Sequence, residues 1–221
     1  MTYLEAVEIL FTKLPMFQRS GPAAYKPNLD NTKAVCKLVN NPERSLKFIH
    51  VAGTNGKGTV SHMVAAVMQE AGYKTGLFTS PHLVDYRERI RINGIKIPET
   101  DVVNFVETYK DSWGKPSFFE LTFGMAIKYF KDENTDIVIL ETGMGGRLDS
   151  TNVIPTAEVV AITNIGLDHT QFLGDSITSI AIEKAGIIKD GVPVVLGKMR
   201  PEAQSEILKA SLRASSEMHY G

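Results

Sequence analysis

A chain of 221 residues, 43% hydrophobic, suits one sizeable α/β domain with an ample core, or one domain plus a small appendage. Its 24 basic and 25 acidic side chains leave a formal net charge of −1, which gives no electrostatic case for nucleic acid or a membrane surface. One cysteine, Cys36, excludes an intrachain disulfide and fits a reducing compartment, and no apolar run approaches the ~20 residues that span a bilayer. Composition therefore points to a soluble, cytoplasmic protein with neither a nucleic-acid nor a membrane partner.

Thr2 and Glu5 form a capping box that opens an amphipathic helix over residues 3–14, with Leu4, Val7, Leu10, Phe11 and Leu14 on one face. Residues 20–28, rich in Gly and Pro, read as a loop, and a second helix is expected over 31–39, closed by Asn40-Asn41-Pro42. An apolar, β-branched run to Ala52 then empties into Gly53-Thr54-Asn55-Gly56-Lys57-Gly58-Thr59. A helical pattern follows through Val60, Met63, Val64, Val67, Met68 and Ala71, stopped by Gly72.

Residues 74–79 predict a second strand. Alternation on either side of Asn93-Gly94 over residues 89–97 predicts a β-hairpin. Helices are expected over 100–111 and 117–131, the latter opened by a second capping box, Ser117 with Glu120. Residues 136–141 and 158–163 read as buried strands, 176–187 as helix, 192–196 as strand and 201–212 as helix. The segment 211–221 is polar and shows no clear element. Strands alternating with helices imply a mostly parallel sheet covered on both faces.

Strand, glycine-rich turn and helix is the geometry of a phosphate-binding loop. Glycines let backbone amides crowd an anion, the helix N-terminus adds partial positive charge, and Lys57 reaches the outer phosphates. The usual pattern places a hydroxyl directly after the lysine to hold Mg²⁺, but here Gly58 follows and the hydroxyl comes at Thr59. Either Thr59 takes the metal through altered turn geometry or another hydroxyl does. The alternative is a glycine-rich β–α connection that binds nothing; such turns are common, though a lysine inside one that leads a helix is much less so.

Ligands of open parallel sheets gather beyond the carboxyl ends of the strands. Polar residues collect at those ends here: Thr79-Ser80-Pro81-His82, Glu141-Thr142-Gly143-Met144-Gly145-Gly146-Arg147, and Thr163-Asn164 through Asp168-His169-Thr170. Ser80 is a turn residue or the missing metal-binding hydroxyl. Glu141 is a solvated strand end or a hard oxygen ligand for Mg²⁺. His169, flanked by Asp168 and Thr170, is a candidate site residue, whereas His50, His62 and His219 receive no assignment.

Together these motifs resemble the folylpolyglutamate synthase/dihydrofolate synthase family, a branch of the Mur ligase superfamily. The matching pieces are the glycine loop, Thr79-Ser80-Pro81-His82-Leu83, Glu88-Arg89-Ile90 with Asn93-Gly94, and Phe119-Glu120-Leu121-Thr122. Three more complete the set: Glu141 through Asp149, Leu167-Asp168-His169-Thr170, and Glu183-Lys184-Ala185-Gly186. The resemblance implies a P-loop NTPase-like Mur ligase central domain with a small β-hairpin, and an ATP-dependent ligase that joins glutamate to a folate or dihydropteroate carboxylate through an acyl phosphate.

Carried over residue by residue, it implies ATP binding by Gly53, Thr54, Asn55, Gly56, Lys57, Gly58 and Thr59. It implies Mg²⁺, at two sites, held by Ser80, Glu141, His169 and a carbamylated Lys184. Lys57, His169 and Lys184 would be catalytic; His82, Phe119, Thr122, Phe123 and Asp149 would grip the folate, with residues 82–89 folding over it. Members carry a C-terminal domain for glutamate, so residues 1–221 are expected to be the ATP- and folate-binding fragment of a monomer, inactive alone. Two other readings stay open: another Mur-type ligase acting on a cell-wall precursor, and a non-catalytic nucleotide-binding module. Without the resemblance, Lys184 reads as an exposed helix lysine and the phenylalanines as core.

Overall fold

The computed structural model describes residues 1–16 and 28–221; most of the loop expected over 20–28 lies outside them. Helix α1 (Tyr3–Lys13) is opened by the Thr2/Glu5 capping box, and α2 (Asp30–Leu38) follows. Strand β1 (Phe48–Ala52) leads through the glycine loop into α3 (Lys57–Glu70), then β2 (Thr75–Phe78). The hairpin is β3 (Ile90–Ile92) and β4 (Ile95–Lys96), turned by Asn93 and Gly94 at φ 47° and 76°. Helices α4 (Glu99–Tyr109) and α5 (Phe118–Asp132) precede β5 (Ile137–Glu141) and β6 (Val159–Ile162). A four-residue α6 (Thr170–Leu173), α7 (Ile177–Ala185), β7 (Val194–Leu196), α8 (Pro201–Arg213) and β8 (Met218–Tyr220) complete the chain.

The strands form one sheet in the order β4-β3-β2-β5-β1-β6-β7-β8. The run from β2 to β8 is parallel and the hairpin pairs antiparallel along β2. Strand pleat sorts the core into two layers. Val51, Leu77, Ile137 and Ile139 meet Val60, Val64 and Met68 of α3 on one face. Phe48, Phe78, Leu140, Val160 and Val194 face the larger cluster, in which α5 supplies Leu121, Phe123, Ile127 and Phe130.

The registers that align Val51 with Glu141 and Ala52 with Ile162 bring the carboxyl ends of β5, β1 and β6 side by side. The glycine loop, Glu141 and residues 163–169 therefore emerge on one edge, as the chain order of polar strand ends predicted.

The tail needs correcting. The segment expected to lack structure ends in β8, paired parallel to β7 with Val194 opposite Met218 and Leu196 opposite Tyr220. An edge strand open to water carries no apolar alternation to read, and Tyr220 is 63% exposed.

Two helices on the larger layer meet at Gly124, in the middle of α5. A β-carbon there would lie 2.2 Å from Val35 Cγ1 of α2. Gly124→Ala is therefore expected to lower unfolding free energy by about 1–2 kcal/mol despite alanine's better helix propensity, read from urea denaturation. A neutral or stabilised variant would contradict this close approach.

Candidate functional site

The glycine loop is held from outside by the segment after β6. Thr54 N donates to Asn164 O at 2.9 Å, and Asn55 N to Asn164 Oδ1 at 2.9 Å. Thr163 Oγ1 donates to Asn55 O at 2.6 Å, and Thr54 Oγ1 bonds Gly166. Gly53 is required at this clasp, since a β-carbon would fall 1.9 Å from Thr163 Oγ1. The amides of Thr54 and Asn55 are thus committed to protein partners. Those of Lys57, Gly58 and Thr59 make no such bond among the described residues, and they open α3 after Gly56 at φ 80°. Free amides at a helix N-terminus form an anion site.

Two ammonium groups converge on one loop oxygen. Lys57 Nζ donates to Gly53 O at 3.1 Å and to Thr54 O at 3.2 Å, while Lys184 Nζ donates to Gly53 O at 2.8 Å. Lys184 is 4% exposed, so the exposed-lysine reading is overturned. Burial, with Lys57 alongside, lowers its pKa to about 8. Tight backbone contact sets α7 there: Arg147 N donates to Glu183 O at 2.7 Å, and a β-carbon at Gly146 would stand 2.7 Å from that same oxygen.

Glu141 ends β5 at 3% exposure, and its Oε2 accepts from Ser80 N at 2.9 Å. Burial raises its pKa; the Ser80 amide and Lys57 work against that. A β-carbon at Gly58 would lie 3.6 Å and 3.7 Å from the two Glu141 oxygens. The glycine that replaces the usual hydroxyl therefore faces the carboxylate directly, with Ser80 beside it.

Lys57, Ser80 and His169 line one cavity of about 440 Å³, together with Arg89, Phe118, Phe119, Met144 and Asp149. His169 is the left-handed residue (φ 48°) that caps α6, and its Nε2 lies 3.7 Å from Asp168 Oδ2.

Three of the expected folate contacts do not line this cavity. Thr122 is fully buried, its hydroxyl donating to Phe118 O at 2.7 Å, and Phe123 is fully buried against Phe78. Both lie a turn deeper along α5 than the residues that reach the cavity. His82 does not line it either; its Nδ1 accepts from Arg89 Nε at 2.7 Å. The segment that carries His82 reaches the cavity through Ser80, Pro81 and Arg89. Glu88 accepts from the amides of Leu83, Val84 and Asp85, leaving Leu83 and Val84 about 90% exposed. Arg89 received no role of its own from the sequence beyond its place in the 82–89 loop, because a charged residue between Glu88 and Arg91 looks like surface.

Residues 51–210 match the Mur ligase middle domain. The chain belongs to that family. It is 43% identical over 187 residues to the dihydrofolate synthase/folylpolyglutamate synthase of Bacillus subtilis, covering 80% of this chain and 43% of that protein. Two solved structures superpose closely: an FPGS–AMPPCP–folate complex (TM-score 0.89, 32% identity, 100% of this chain and 54% of that one) and E. coli FolC with DHPP and ADP (TM-score 0.87, 32% identity). The latter match covers 100% of this chain and 51% of FolC. This Mur ligase domain thus spans about half the length of the relatives it matches, and it falls on their folate branch. Among its described residues no helix is long and apolar enough to cross a membrane.

Beneath the cavity the Mur ligase domain carries a buried relay. Asp149 Oδ2 accepts from the amides of Gly143 and Met144 at 2.8 Å and 2.9 Å, fixing the turn after β5. Its Oδ1 accepts from the Thr151 amide and hydroxyl. Asp149 is a cavity residue, yet its carboxylate is occupied by the protein. Because the Thr151 hydroxyl donates to Asp149, it accepts from His50 Nε2 at 2.8 Å, which fixes the ring as the Nε2–H tautomer. Burial, with Lys189 nearby, lowers the His50 pKa to about 3. Between pH 6.5 and 3 the unfolded chain binds a proton that the folded one refuses, so stability falls as pH falls through that window. His50→Gln keeps a donor but cannot titrate; relative to it, the wild type is expected to lose roughly 4 kcal/mol between those pH values. Parallel pH profiles in chemical denaturation would contradict the assignment.

Proposed function

We propose that this chain is the ATP- and folate-binding part of a ligase that joins glutamate to the carboxylate of folate or dihydropteroate. The cavity carries the reading: one space runs from an anion-binding helix start at Lys57 to aromatic walls at Phe118 and Phe119. A triphosphate suits the first and a flat heteroaromatic acid the second. The relatives point the same way, since the structures that superpose on this chain hold an ATP analogue with folate, or ADP with DHPP.

The chemistry is mostly positioning and charge. A carboxylate oxygen attacks the γ-phosphorus, ADP leaves, and an acyl phosphate forms. The glutamate amine then attacks the acyl carbon, phosphate leaves, and the amine gives up a proton. Both partners of the first step are anions, so cations must neutralise them and hold them in line. The free amides of Lys57, Gly58 and Thr59 would hold phosphate oxygens. Lys57 Nζ would leave the loop carbonyls for the β- and γ-phosphates, and the ammonium of Lys184 adds charge behind it.

Magnesium fits at Ser80 and Glu141. The carboxylate is buried, its Oε1 has no hydrogen-bond partner among the described residues, and Gly58 leaves the space before it open. Two hard oxygen donors, completed by phosphate and water, match magnesium's preference, and the ion would offset charge on the transferring phosphate. The donors expected for a second ion do not fit as they stand: Lys184 is an amine engaged with Gly53 O, and no three His, Cys, Asp or Glu side chains cluster as metal holders among the described residues. No step here is assigned to a second ion. We assign glutamate binding to the part of the ligase beyond this chain, and a monomer acting in the cytoplasm as its setting.

The full-length protein incubated with ATP, magnesium, labelled glutamate and either dihydropteroate or tetrahydrofolate is expected to give labelled folate product and ADP. Lys57→Met should cut turnover at least about a hundredfold, in the range seen when one transition-state contact is removed. Labelled product from neither acceptor would end the proposal.

A further inference from the structure

Arg89 is 3% exposed, yet only part of its donor set is used. Its Nε donates to His82 Nδ1 at 2.7 Å, and its guanidinium carbon stands 5.1 Å from the centroid of the Phe118 ring. Nη1 and Nη2 have no hydrogen-bond partner, and Arg89 has no ion pair within 4.0 Å, among the described residues. A buried guanidinium stays charged and is costly to leave unpaired, so an unsatisfied one on a cavity wall is a site awaiting an anion. Arg89 lines the same cavity as Lys57, Ser80 and Phe119.

The anion's class follows from the surroundings. A planar fork of two N–H groups matches a carboxylate with two parallel bonds. Arg89 stacks on Phe118, so the anion it holds is attached to a group lying against aromatic side chains. The phosphates have their own donors at the start of α3.

We propose that Arg89 clamps the substrate's reacting carboxylate, and that His82 is the positioning residue that aims the clamp. This rests on the folate-ligase reading and names the subsite within it. With Nδ1 accepting from Arg89, the neutral His82 ring carries its proton on Nε2. The ring is wedged edge-on between Phe11 and Tyr86, at centroid distances of 5.9 Å and 6.3 Å, which holds that acceptor in place. His82 thus serves the ligand from behind, where sequence reading had placed it in contact.

Equilibrium binding to the full-length protein separates the possibilities, with dihydropteroate and its carboxamide as probes. The wild type is expected to bind the acid at least about tenfold more tightly than the amide, as a charge-assisted pair implies. Arg89→Gln should remove that preference by weakening the acid alone. His82→Leu should shift it the same way, and His82→Asn, whose Oδ1 can replace the Nδ1 acceptor, should restore most of it. Equal affinity of the wild type for acid and amide would overturn the clamp and leave the folate reading standing, even if Arg89→Gln did not fold. A wild type that binds neither probe would overturn both. A loss of ATP affinity in Arg89→Gln matching the loss for the acid would give the arginine to the triphosphate and overturn the clamp.

Discussion

Two lysine side chains meeting at the Gly53 carbonyl are the constraint around which the rest of this molecule is arranged. Like charges so close repel, and burial makes the charge on Lys184 harder to keep. The loop accepts the arrangement because other forces fix it: Asn164 and Thr163 hold its outer side, and the Gly146–Glu183 contact presses α7 against it. A polyanion landing on the free amides of α3 would relieve the strain in charge. The site is therefore built to be more comfortable occupied than empty, which is the sense of a preorganised electrostatic trap.

The same logic explains the departure at Gly58. A side chain there would project onto the Glu141 carboxylate, at 3.6 Å. In the proposed magnesium site, Ser80, two residues beyond β2, would supply the hydroxyl that Gly58 lacks, beside the Glu141 carboxylate. Sheet register makes this arrangement available, because β2, β5 and β1 end within two residues of one another. Binding chemistry is thus distributed over several strand ends, each fixed by backbone pairing in place of local loop structure.

Much of this was legible beforehand, for physical reasons. Capping boxes at Thr2 and Ser117, the Asn93-Gly94 turn and the apolar runs ending in polar residues are local signals, and the elements they announced are present. What failed depended on which way a helix or edge faces. Phe119 and Phe123 differ by one helical turn, but only the first reaches the cavity, while Phe123 is fully buried. Strand β8 has no inward alternation because it closes an open edge. Only tertiary packing buries Arg89 and Lys184; the family likeness marked Lys184 as a site residue and Arg89 only as the end of a loop over the folate.

The most direct measurement is the ionisation of Lys184, followed by NMR of its side-chain nitrogen with and without ATP. The account predicts a pKa near 8 in the free protein, rising once the triphosphate is bound, because a polyanion favours the charged amine. A value at the ordinary 10.5 that ATP does not move would contradict it, since the two lysines would then share no charge-crowded site.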